Sequence, residues 1–97
     1  MQLVSLTRSP KRGKKYKAVF RDAKKSRTKT VHFGSKGMDD YTLTHDKQQR
    51  SRYRERHKKD LKTGDPTRAG YLSYYILWGS STSVRENVRA YKSRFHL

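Results

Sequence analysis

A chain that sets 25 Lys and Arg against 8 Asp and Glu within 97 residues must hold a formal net charge of +17 on one small body. That excess constrains everything else. Like charges repel one another, so a compact state needs organised apolar surface to offset them. Hydrophobic residues make up only 31% of the chain, and high charge with low hydrophobicity is also the mark of disorder. The deciding question is whether the apolar residues recur at a structural period.

They do. Residues 15–21, Lys-Tyr-Lys-Ala-Val-Phe-Arg, put Tyr16, Ala18 and Phe20 on one side and Lys17, Val19 and Arg21 on the other. Period 2 predicts a half-buried strand. Residues 28–33 alternate as well and hold β-branched Thr28, Thr30 and Val31. Residues 2–7 are short and β-prone. The links are polar: Arg8 to Lys15 with Pro10 and Gly13, then Asp22 to Arg27. The pattern predicts a three-stranded antiparallel meander over residues 1–35, ended by Gly34 and Gly37.

A charged helical region follows over residues 39–59. Asp39 or Asp40 is placed to cap a short turn through Leu43, and Thr44 or Asp46 to open a helix over about 47–59. Tyr53 and His57, at i and i+4, are its only clear contact pair. In Gly64-Asp65-Pro66, Gly64 suits a helix end, Asp65 an N-cap and Pro66 a first turn. Residues 69–78 are the most apolar stretch, with Leu72, Tyr75, Ile76 and Gly79 on one helical face; a buried strand is the alternative. Ser83 and Glu86 form a capping box. Behind it Val84, Val88, Tyr91 and Phe95 make an amphipathic stripe. Residues 65–97 therefore read as an aromatic-rich helical pair.

The predicted fold class is α+β: one domain over residues 1–97, a small N-terminal antiparallel sheet packed with about three C-terminal helices. Aliphatic residues are few, so Tyr71, Tyr74, Tyr75 and Trp78 are expected to build the core. Any ring left exposed would stack on bases or form a homodimer interface.

Several classes are excluded. With no cysteine there is no disulfide framework and no thiolate zinc site. No apolar run approaches the ~20 residues that span a bilayer, and residues 1–9 are too short and polar for a signal peptide, so a soluble protein without a membrane partner is expected. His32, His45, His57 and His96 with Asp39, Asp40 and Asp46 match no metal-site spacing and read as caps and surface polar groups. Gly34-Ser-Lys-Gly37 lacks the length and ending of a phosphate-cradling loop. No nucleophile–base pair is signalled, so neither an enzyme nor a cofactor is expected.

Polyanions are the natural partners of this charge, and nucleic acid fits better than a membrane surface because no segment pairs a basic face with a broad apolar one. Three basic groups are candidates. The strand-and-loop group is Arg8, Lys11, Arg12, Lys14, Lys15, Lys17, Arg21, Lys24, Lys25, Arg27 and Lys29, with only Asp22 among them. The helical group is Arg50, Arg52, Arg54, Arg56, Lys58 and Lys59, expected to touch the phosphate backbone rather than enter a groove. The third is the stripe Arg85, Arg89 and Lys92. Together they predict non-specific electrostatic binding of duplex DNA, with RNA as an alternative. The rival readings are a structural protein using an aromatic interface and a metal-dependent nuclease.

Val31-His-Phe-Gly-Ser-Lys-Gly37, Asp40-Tyr-Thr42, Tyr53-Arg-Glu-Arg-His57, Gly64-Asp-Pro66, Leu72-Ser-Tyr-Tyr-Ile-Leu-Trp-Gly79 and Tyr91-Lys-Ser-Arg-Phe95, in this order, resemble a family of small basic proteins of giant viruses, the nucleocytoplasmic large DNA viruses, marseillevirus-like members above all. The likeness spans about residues 15–97. It implies a place in the virion or the cytoplasmic viral factory, with the host nucleus as an alternative, and a role on viral DNA. It implies no enzymatic activity and carries over no functional residues.

Overall fold

A computed structural model describes residues 1–97. Its sheet is the meander that the alternation predicts: β1 (Gln2–Arg8), β2 (Lys14–Asp22) and β3 (Arg27–Ser35), antiparallel in the order β1-β2-β3. Register places Leu3 opposite Phe20, Leu6 and Val31 on either side of Ala18, and Tyr16 opposite Phe33. One face therefore gathers the apolar residues of all three strands, and Leu3, Ala18, Phe20 and Phe33 on it are buried. The register shift between Leu3 and Ser5 turns Val4 out to solvent. Such a bulge blunts an edge strand against unwanted pairing.

The helical half runs as α1 (Tyr41–Thr44), α2 (Lys47–His57) with a 3-10 turn Lys58–Thr63, α3 (Ala69–Leu72) with a π turn Ser73–Leu77, and α4 (Val84–Phe95). Several start and stop signals act as expected. Asp40 caps α1 through the Thr42 amide at 2.9 Å, and Asp46 caps α2 through the amides of Gln48 and Gln49. Gly64 closes the 3-10 turn in the left-handed region at φ 67. The apolar run 69–78 is helical, which settles the strand alternative.

Three expectations need correction. The α-helix expected over 47–59 ends at His57 and tightens to 3-10 geometry. Asp65 does not cap a helix at Pro66: its carboxylate accepts from the Thr67 amide at 2.9 Å and the Thr67 hydroxyl at 2.6 Å, holding a local turn, and the helix starts at Ala69. Ser83 accepts from the Glu86 amide at 3.2 Å, but the Glu86 carboxylate reaches the Ser81 hydroxyl at 2.6 Å, and it is this hydroxyl that accepts from the Ser83 amide. The capping box is closed through an intermediary.

The core holds Leu3, Ala18, Phe20, Phe33, Tyr41, Leu72, Ile76, Leu77, Trp78 and Tyr91. Half of these are aromatic, as the shortage of aliphatics requires. The π turn is packed on several sides, so Tyr74, Ile76 and Leu77 are all buried, while Tyr75, expected on the inner face, is only partly covered. Asn87 fastens α4 to this segment: its amide donates to the Ile76 and Ser81 carbonyls at 2.8 and 2.7 Å and accepts from the Ser81 amide at 3.0 Å. Gly79 is required at that clamp, since a Cβ there would lie 2.2 Å from the Tyr75 carbonyl and 2.7 Å from Asn87. No helix is long and apolar enough to cross a membrane.

Candidate nucleic-acid interface

The second face of the sheet carries the residues of opposite parity. Its cross-strand rows are Gln2, Arg21 and Thr28; Ser5, Val19 and Thr30; and Thr7, Lys17 and His32. Ser5, Thr7, Arg21, Thr28 and Thr30 are exposed, and Lys17, Val19 and His32 partly so. The core helices gather on the opposite, apolar face. No carboxylate stands on this open face, which offers two cations, His32 and a field of hydroxyls. His32 is held by the Ser9 hydroxyl at 2.7 Å from its Nδ1.

Basic loops stand at both ends of the face. The β1–β2 connection carries Lys11 and Arg12 at one end, and the β2–β3 turn carries Lys24 and Lys25 at the other. The nearby carboxylate of Asp22 is spent locally, accepting from the Lys24 amide at 3.1 Å and the Lys25 amide at 3.4 Å. It orders the turn that presents those two lysines. The Lys14–Asp22 strand between the two loops spans about 30 Å at roughly 3.3 Å per residue.

Four of the basic residues expected at the interface turn inward instead. Lys15 Nζ lies 2.6 Å from the Asp40 carboxylate and 2.5 Å from the Met38 carbonyl. Lys29 Nζ donates to the Thr67 hydroxyl at 2.7 Å, with Asp65 at 3.8 Å. Arg50 Nε donates to the Gly79 carbonyl at 2.6 Å. Arg54 donates to the Trp78 carbonyl at 2.7 Å and sits 4.1 Å from the centre of the Tyr74 ring. Burial first, and the Arg54 charge second, lower the Arg50 pKa, although a guanidinium stays protonated in a protein. These arginines satisfy the orphan carbonyls at the end of the π turn. They fasten α2 to the core.

The remaining candidates divide by place. Arg8 and Arg27 sit at strand ends on the parity of the covered face, and Lys14 borders a cleft beside α2. Arg52, Arg56 and Lys59 are exposed on α2 and its extension, with Arg56 and Lys59 bordering the same cleft as Lys14, and Lys58 pairs with Glu55 at 3.7 Å. Arg85, Arg89 and Lys92 are exposed on α4, and Arg85 and Lys92 border a groove against β1. The Ser and Thr residues of the open face were missed in the sequence because they carry no charge. Their signal is parity alone, opposite to Tyr16, Ala18 and Phe20.

An open three-stranded sheet backed by an aromatic helical layer is thus the class of architecture. A family of unknown function, DUF5754, matches residues 4–57, more than half of the chain, and the protein belongs to it. The matched segment runs from β1 to the end of α2, so it includes the open face and both basic loops. No curated protein and no solved structure matches the chain.

Proposed function

We propose that this protein binds nucleic acid, duplex DNA first, by laying the open face of its sheet along the phosphate backbone. The observation that carries the reading is a carboxylate-free sheet face with a basic loop at each end. The loop-to-loop distance of about 30 Å is close to one turn of duplex, about 34–36 Å. Ser and Thr hydroxyls with Lys and Arg are common phosphate ligands, and such contacts fix position without reading sequence. Little base preference is therefore expected, and no catalysis. The resemblance to giant-virus proteins extends the proposal to viral DNA in the virion or viral factory. Nothing favours an aromatic protein interface, because the large hydrophobics left exposed are Met1, Val4, Met38 and Leu43.

Gel-shift titrations over a salt series test this, with duplex DNA, single-stranded DNA and duplex RNA in parallel. Affinity for duplex DNA is expected to fall linearly on a log–log plot, with a slope near −0.9 per phosphate contacted. Binding that ignores salt, or no binding at about 50 mM salt, contradicts the proposal.

A further inference from the structure

A second feature lies away from the open face. Between the end of β3 with its following loop and the α2–α3 corner there is a cleft of about 990 Å³. Three parallel rings line it. Trp78 and Tyr53 stack at 4.3 Å with 8° between their planes, and Tyr53 and His57 stack at 4.1 Å with 22°. The ladder starts in the core, where Trp78 is 7% exposed, and ends at His57, whose side chain is 39% exposed. Its outermost ring, His57, stacks on Tyr53, lines the cleft and is partly exposed to it.

The charges around the cleft are sorted. Asp40 is neutralised by Lys15, and Asp60 is held by His57 Nδ1 at 3.0 Å. Lys14, Arg56 and Lys59, also on the lining, take part in none of the protein's ion pairs. Asp39 and Asp60 are the acidic lining residues without a Lys or Arg partner, against the three free cations Lys14, Arg56 and Lys59. The cleft thus joins a flat aromatic platform to uncommitted cations. A planar base attached to a phosphate matches both parts, since every base has a π face and stacking on an aromatic ring tolerates any sequence.

We propose that the cleft binds a single unpaired nucleotide, its base stacked on the outer face of His57 and its phosphate held by Lys14, Arg56 and Lys59. The same chemistry is offered by a free mononucleotide and by a frayed or overhanging nucleotide of a strand. Burial foremost, and Asp60 second, push the Tyr53 phenol up to about 12, so the ring behind His57 remains neutral across ordinary pH. The site stands apart from the sheet face and does not depend on it.

Calorimetric or NMR titration of the full chain with AMP, and with ribose 5-phosphate as the base-free control, tests the proposal. AMP is expected to bind about tenfold more tightly than ribose 5-phosphate. His57→Ala should abolish that difference, His57→Phe should keep it, and Lys59→Glu should weaken both ligands. Equal binding of the two ligands, no binding of AMP, or an unchanged preference in His57→Ala would overturn it. A duplex with a short single-stranded overhang that displaces AMP, where a blunt duplex does not, assigns the site to strand ends; an overhang that leaves AMP bound assigns it to free nucleotide, and displacement by the blunt duplex alone overturns the proposal. Lys17→Glu/Arg21→Glu should leave AMP binding intact, so failure of the sheet reading and failure of this one are separable.

Discussion

Replacing Asp40 with Ala is expected to lower stability by about 3–5 kcal/mol, the usual cost of stripping one partner from a buried ion pair. Asp40 is 2% exposed, and the Lys15 side chain bonded to it 12%. The same carboxylate accepts from the amide and hydroxyl of Thr42, so the cap of α1 is lost together with the pair. For a domain of this size the melting temperature should fall by about 12 °C or more. Adding Lys15→Met to the Ala variant removes the stranded ammonium and should recover part of the loss. A single-variant loss under about 1 kcal/mol, measured by urea or thermal unfolding, would mean that the pair is dispensable.

The second large effect concerns binding. Lys17→Glu/Arg21→Glu reverses the only two formal cations on the open face, and both side chains reach solvent, so the fold should persist. Two lost phosphate contacts make the log–log salt slope shallower by about 1.8 and weaken duplex binding roughly 60-fold near 0.1 M salt. Lys47→Glu/Lys62→Glu changes net charge equally at exposed sites on the helical side. It should cost less than about fivefold, because long-range attraction between exposed charges is screened beyond about 10 Å. If the two pairs weaken binding equally, bulk charge alone drives association and the sheet face has no special part.

How far these sites are legible in the sequence differs element by element. Tyr16, Ala18 and Phe20 at period 2 settle both the strand and its buried face. Asp46, Ser83 and Gly64 mark their helix ends because capping is a local event, decided within three or four residues. The Lys15–Asp40 pair joins residues 25 apart in sequence, and nothing local announces it. The inward turn of Arg50 and Arg54 has a related cause. α2 has almost no apolar residue, so its inner face is written as Arg50, Tyr53, Arg54 and His57, a stripe that reads as solvent-facing until the bare carbonyls of Trp78 and Gly79 are set beside it. Those carbonyls are bare because the helical run ends just before them, at Leu77; the π turn in that run is a departure that residue propensities do not encode. The Trp78–Tyr53–His57 ladder was half visible, since Tyr53 and His57 pair at i and i+4, while Trp78 arrives from another element.

The central claim is that the open sheet face, rather than the charged helix, meets nucleic acid. An NMR titration of the ¹⁵N-labelled chain with a blunt duplex of about one helical turn tests it most directly. The account predicts that amide shifts concentrate at Ser5, Thr7, Lys17, Val19, Arg21, Thr28, Thr30 and His32 and in the two basic loops. Shifts confined to α2 and α4 with the sheet unmoved would contradict it.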